Sequence, residues 1–253
     1  MTASPATPLP DSVDPDDLAR FERLGAQWWD PQGPMKPLHR MNPARVGWLR
    51  DQLCRHFDRD PKAPRPLGGL TVLDVGCGGG ILCEPMARMG AEVTGIDPAP
   101  GNVEIARAHA ERSGLSIAYR AESAEALAAA GERFDAVLCM EVVEHVVDPG
   151  AFVATVAGLT RPGGAFFAST LNRTLKSFAL AIVGAEYVLR WLPRGTHDWN
   201  KFLTPQELAD MIRAGGLEVA TMAGCVYDPL ADVWRVSRRD VDVNYMIAAS
   251  RPL

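Results

Sequence analysis

From residue 70 onward, short apolar runs alternate with amphipathic segments, and this alternation limits what the chain can fold into more than any other feature. "LTVLDV" (70–75) reads as a short buried strand, and "ILCEPMARMG" (81–90) as a helix ending at Gly90. "AEVTGID" (91–97) is a strand, "NVEIARAHAERSG" (102–114) a helix, and "SIAYRA" (116–121) a third strand. "FDAVLCM" (134–140) and "GGAFFAST" (163–170) supply the fourth and fifth strands. Strand–helix alternation at this spacing predicts an α/β fold, a parallel sheet with helices on both faces. "TPQELADMIRAGG" (204–216) begins with a capping box: Thr204 caps, Pro205 takes the first turn and Glu207 reaches back. Strands near 217–223 and 242–249 close the sheet.

The N-terminal part reads differently. Residues 1–14 form a Pro-, Ser-, Thr- and Asp-rich tail that is expected to be disordered. The tail has no basic region followed by an apolar run, so it is not a secretory signal. Residues 15–69 are expected to form a helical cap that ends in the Pro/Gly linker "DRDPKAPRPLGG" (58–69). In the cap, "DPDDLARFERLGAQWW" (14–29) reads as one helix, with Asp14 capping and Pro15 in the first turn. A second helix follows Asn42-Pro43. Residues 70–253 are the main domain, with a helical insertion at about 172–203. The 253 residues suit one large domain with insertions. Five cysteines without zinc or disulfide spacing point to a reducing cytoplasm. A net charge of -5 gives no pull toward nucleic acid.

The loop "LDVGCGGG" joins the first strand to the first helix, where open α/β sheets bind their ligands. Gly76, Gly78, Gly79 and Gly80 permit a tight turn and close approach of a ligand to backbone. A dinucleotide fingerprint needs Gly or Ala in its last position. Counting from Gly76 that position is Ile81, and from Gly78 it is Cys83, so neither fits. Asp74, at the root of the loop, would repel a pyrophosphate and favour a cationic ligand. S-adenosylmethionine carries a sulfonium and an ammonium and no phosphate. Asp97 ends the second strand, where a carboxylate can accept from both ribose hydroxyls; a helix cap is the alternative role. Glu122 and Ser123 follow the third strand, where an adenine edge can be read.

The order "VLDVGCGGG", "VTGID", "FDAVLCMEVVEHV" and "RPGGAFFAST" resembles the class I S-adenosylmethionine-dependent methyltransferases. That resemblance implies a Rossmann-like, mostly parallel seven-stranded sheet with the last strand antiparallel. The segments "FERLGAQWWDPQGPMKPLHRMNPAR" (21–45), "STLNRTLKS" (169–177), "GAEYVLRWLPRGTHDWNKF" (184–202) and "VDVNYM" (241–246) are similar to the ubiquinone-biosynthesis O-methyltransferases. Membership would imply O-methylation of a polyprenyl catechol and of a later demethyl-quinol. It would also imply that Arg45 binds the cofactor carboxylate, Gly76 its methionine portion and Asp97 the ribose, with Met140 in contact near the methyl donor.

"MEVVEHV" (140–146) holds three proton or metal carriers after the fourth strand. If a helix starts there, spacings of three and four put Glu141, Glu144 and His145 on one face. Two carboxylates and an imidazole can hold Mg²⁺ or another divalent ion. The same cluster can work without metal, with His145 as general base, or can be a charged first turn with no chemical role. His197, in "RGTHDW", is a second candidate base. "LKSFALAIVGAEYVLRWLPR" (175–194) is too short in its apolar run to span a bilayer. Its flanking Lys176, Arg190 and Arg194, with Tyr187 and Trp191, suit a helix lying in a membrane interface, a lid over an apolar substrate, or a buried helix. The expected partners are therefore a polyprenyl catechol or quinol, the inner-membrane surface and other enzymes of the quinone pathway. The expected location is cytoplasmic, peripheral on that membrane.

Overall fold

The structure, a computed structural model, describes residues 12–179 and 198–253. Asp14 accepts the amides of Asp16 (3.0 Å) and Asp17 (3.5 Å) and caps α1 (Pro15–Glu22). The helix is shorter than its sequence suggests. Gly25 has φ +51°, and the chain turns there into a short 3-10 helix, Gly25–Trp29. Helix α2 (Lys36–His56) begins earlier than Asn42-Pro43, because Pro37 already occupies its first turn. Pro43 lies inside it, where its missing N–H costs one helical hydrogen bond without ending the helix.

The sheet contains β1 (Thr71–Val75), β2 (Glu92–Ile96), β3 (Ala118–Arg120), β4 (Phe134–Met140), β5 (Thr160–Leu171), β6 (Glu218–Asp228), β7 (Val233–Ser237) and β8 (Asn244–Ser250). Their order is β3-β2-β1-β4-β5-β8-β6-β7. The pairs from β3 to β5 are parallel, and β8 lies antiparallel between β5 and β6. The sheet is the Rossmann-like one that the motifs imply, with the last strand antiparallel. An eighth strand, β7, is added at the edge by a hairpin from β6. The antiparallel pairing turns the start of β8 toward the same edge as the carboxyl ends of β1, β2, β4 and β5.

Side chains alternate between the two faces of the sheet, as the period of a strand requires. Val72, Leu138, Phe167 and Met246 join the core under α2, α3 (Cys83–Arg88) and α4 (Pro100–Arg112). Leu73, Val137, Phe166 and Ile247 join the core under α5 (Ala124–Ala129), α6 (Pro149–Gly158) and the helix Pro205–Ala214. A single turn, Leu175–Ser177, follows β5. Of the expected insertion, residues 180–197, His197 among them, lie outside the described residues, and a short 3-10 helix, Trp199–Lys201, precedes the helix Pro205–Ala214. No helix among the described residues is long and apolar enough to cross a membrane.

Candidate active site

The glycine loop is held by what surrounds it. The amides of Gly76 and Cys77 both donate to the Ile96 carbonyl at 2.9 Å, tying the loop to the end of β2. Gly76 and Gly78 have φ of +70° and +50°, a region that side chains rarely adopt. Space also excludes a side chain. A Cβ on Gly78 would sit 2.4 Å from the Trp28 ring, and one on Gly76 2.7 Å from Val142.

Asp97 is the hub of this half of the site. It is buried, and its carboxylate accepts from the Gly78 amide (2.9 Å), the Ala99 amide (2.9 Å) and the Asn102 amide group (3.2 Å). The Trp28 indole donates to Asn102 at 2.9 Å, so the tryptophan over the loop is wired to the same carboxylate. Trp29 donates to the Gly79 carbonyl at 2.8 Å and stacks on His109 with centroids 3.5 Å apart. Both tryptophans lie in the 14–29 segment, which the sequence marks only as helical. Burial pushes the Asp97 carboxyl up in pKa, against the three hydrogen bonds. A carboxylate offers about four acceptor positions, so one remains for a further donor.

Asp74 is buried at the root of the loop, and the Cys83 thiol donates to it at 3.1 Å. Burial raises its pKa to about 6, against the Cys83 bond and the Arg45 charge. Arg45 is itself buried, 3% exposed, and donates to Asn42 at 2.9 Å. Its Nε has no partner, and burial disfavours its charge, with Glu141 and Asp74 opposing. A buried guanidinium with an orphaned N–H is suited to a carboxylate brought by a ligand. Glu122 is exposed and pairs with Arg120 at 3.7 Å, while Ser123 caps α5 through the Ala126 amide at 3.3 Å. Met140 is buried at the end of β4.

The 141–145 cluster departs from the helical expectation. Glu141 has φ +58°, and only Val143–His145 forms a 3-10 turn, so the three side chains do not share a helix face. Each engages a different partner. Glu141 accepts from the Ser169 hydroxyl (2.6 Å) and from Asn244 (2.8 Å), while its amide donates to Ser169. Glu144, buried, accepts from the Thr170 hydroxyl at 2.9 Å. His145 Nδ1 lies 3.3 Å from the Asp17 carboxylate, and Phe21 packs edge-on against its ring. Among the described residues, no three His, Cys, Asp or Glu side chains are grouped to hold a metal ion. The donor types suit a divalent ion, but as arranged they do not converge on one.

Electrostatics sets Glu144 apart from Asp17. Burial, reinforced by the Glu141 charge, holds the Glu144 carboxyl well above the usual carboxylate range. Asp17 goes the other way. Despite burial, the His145 bond and the charges of His145, Lys201 and Arg20 bring it down to about 2. For His145, burial would lower the imidazole, but Asp17 and Glu144 outweigh it and the net shift is upward. Nothing in the sequence signals Asp17, 128 positions from His145.

Both halves line one cavity of about 670 Å³. Asp74, Gly76, Gly78, Asp97, Glu122 and Ser123 border it, as do Arg45, Met140, Glu141, Glu144 and His145. Leu18, Phe21, Met35, Leu38 and Met41, from the N-terminal helices and their connection, give it an apolar wall.

Residues 73–168 match the family model described as "Methyltransferase domain". The chain is 59% identical to "Ubiquinone biosynthesis O-methyltransferase" of Methylobacterium sp. (strain 4-46), over 98% of this chain and 99% of the relative. It is 60% identical to the protein of that name from Methylobacterium nodulans, over 96% and 97% of the two chains. Among solved structures, magnesium protoporphyrin IX methyltransferase of Synechocystis with bound SAH has TM-score 0.63 at 20% identity, over 93% of each chain. A SAM-dependent methyltransferase of Thermotoga maritima has TM-score 0.63 at 17% identity, over 93% of this chain and 99% of that one. These two share the fold. The near full-length identity to the Methylobacterium proteins goes further, and the chain belongs to the ubiquinone biosynthesis O-methyltransferases, a family of class I S-adenosylmethionine-dependent enzymes.

Proposed function

We propose that the chain methylates a phenolic hydroxyl of a polyprenyl catechol, and of a later demethyl-quinol, in ubiquinone biosynthesis. The observation that carries this reading is the single cavity joining the glycine-loop half to His145 and an apolar wall. Arg45, Gly76, Gly78 and Asp97 would hold S-adenosylmethionine, and Asp74, Glu122, Ser123 and Met140 would border it. When bound, that cofactor supplies an electrophilic methyl group on a sulfonium. The protein has two remaining tasks: aligning the acceptor and removing the proton of a phenol whose unperturbed pKa is ~10. The Leu18, Phe21, Met35, Leu38 and Met41 wall suits the isoprenoid tail and keeps water from the reacting oxygen. His145 is the proton acceptor, and Asp17 fixes its ring through Nδ1. Glu141 and Glu144 orient the groups around it. His197, outside the described residues, stays a second candidate base.

This assignment predicts the pH profile. His145 keeps its proton to a higher pH than its ordinary ~6.5 and becomes a base only as pH rises through its raised pKa. kcat/KM is expected to climb with pH, with its acid limb above ~6.5. Asp17→Asn removes the main upward influence and leaves burial, so the limb is expected to move to lower pH. An unmoved limb counts against Asp17 as the partner. In stability the sign is opposite: the His145 contribution is present below its unfolded pKa and is lost as pH rises through the folded one, while the Asp17 contribution is lost only as pH falls toward about 2.

The reaction is tested with a short-prenyl catechol and a demethyl-quinol, with and without rigorous chelation. A methoxy product is expected, and none from any such acceptor overturns the assignment. Full activity after chelation supports the proton reading. Loss restored by Mg²⁺ instead assigns Glu141, Glu144 and His145 to a metal that regroups them. Membrane association rests on the amphiphilic 175–194 sequence and on exposed Leu175 and Phe178 at its described edge. Replacing Ile182 and Val183 with Glu is expected to weaken liposome co-sedimentation while cofactor affinity stays the same. Unchanged co-sedimentation contradicts this.

A further inference from the structure

Asn244 is the first residue of β8, paired across from Leu171 at the end of β5. It is 5% exposed and borders the cavity. Its Nδ2 donates to Glu141 Oε1 at 2.8 Å. In that orientation Glu141 Oε1 accepts from both the amide nitrogen and the Ser169 hydroxyl. Asn244 Oδ1 is therefore the atom turned elsewhere, and it is buried without a hydrogen-bond partner. An unpaired buried carbonyl costs about 1–3 kcal/mol, and such groups normally find a donor. Because Asn244 borders the cavity, a donor carried by what fills the cavity would satisfy it after a small turn of the side chain.

Its place in the sheet decides which ligand that is. The glycine loop and Asp97 follow β1 and β2, whereas β8 lies three strand positions beyond β1. At about 4.8 Å per strand, that separation is roughly 14 Å. Asn244 thus belongs to the acceptor half, beside Glu141 and the end of β5. An acceptor ring offers O–H donors there, and the hydroxyl losing its proton to His145 is already committed.

On the reading that the acceptor is a catechol-type ring, we propose that Asn244 Oδ1 accepts a hydrogen bond from the second hydroxyl, the one that is not methylated. The residue is then a specificity determinant. A ring with a single hydroxyl leaves Oδ1 buried and unpaired, and a site built around a hydrogen bond rejects a ligand lacking it. Glu141, strained at φ +58° and held by Ser169, is the post that keeps the amide turned this way.

The test compares kcat/KM for a short-prenyl catechol with that for the matched phenol lacking the second hydroxyl. Asn244→Leu keeps the volume and removes Oδ1, and Asn244→Ser is a smaller second variant in case the first misfolds. Each is expected to reduce the catechol-to-phenol ratio at least about tenfold, with the loss in KM for the catechol. Ser169→Ala loosens Glu141, the post that orients the amide, without removing Oδ1, and is expected to lower the ratio less than either Asn244 variant does. If the Asn244 variants keep the wild-type ratio, the proposal is overturned while the methyltransferase assignment stands. If the wild-type enzyme methylates neither the catechol nor the matched phenol, the assignment fails first and the proposal falls with it.

Discussion

Asp97→Ala is expected to raise the dissociation constant for S-adenosylmethionine at least about 100-fold, measured by calorimetry. The carboxylate accepts from two backbone amides and the Asn102 side chain, all buried with it. Alanine leaves both amides without an acceptor and frees Gly78 from the end of β2. Two losses of ~1–2 kcal/mol each give roughly 30- to 800-fold, and a lost ribose contact adds to that. Asp97→Asn keeps one acceptor oxygen and is expected to fall between the two. Near wild-type affinity in Asp97→Ala would mean that Gly78 is held by Trp28 alone.

His145→Ala is expected to lower kcat by about 10²–10⁴-fold, the usual contribution of a positioned base. Cofactor affinity should stay within about twofold, because His145 touches none of Gly76, Gly78 or Asp97 in the structure and bonds Asp17 instead. Partial recovery on adding free imidazole distinguishes a missing base from a disturbed fold. The variant also leaves Asp17 with Arg20 (2.8 Å) and Lys201 (3.4 Å) but without the imidazole, so a modest fall in stability is expected with it.

The donor half of this site was legible because its determinants are local. An apolar strand, a run of glycines and an acid at the end of the next strand lie within 28 positions, from Leu70 to Asp97. Alternating apolar runs likewise marked β1, β2, β4 and β5. β7 was not read, because "VWRVS" is largely exposed and its pairing with β6 depends on a hairpin and not on burial. The start of α2 was misplaced because Asn42-Pro43 looks like a helix opening, while Pro37 already provides one. The acceptor half was legible only as a list of residues. "EVVEH" suggested one helix face, but the positive φ of Glu141 breaks the periodicity on which that inference rested. The partners that define its chemistry, Asp17 for His145 and Asn244 for Glu141, come from opposite ends of the chain. Only the tertiary fold brings them together.

On the proposed reading, this one cavity passes a methyl group from a sulfonium to a phenolic oxygen. S-adenosylmethionine labelled with carbon-13 in its methyl group, incubated with the enzyme and a short-prenyl catechol, tests it by nuclear magnetic resonance of the product. A single labelled methoxy carbon on the ring is expected, formed by the wild-type enzyme and strongly reduced in His145→Ala. A labelled methyl bonded to ring carbon, or no labelled product while the cofactor still binds, would contradict it.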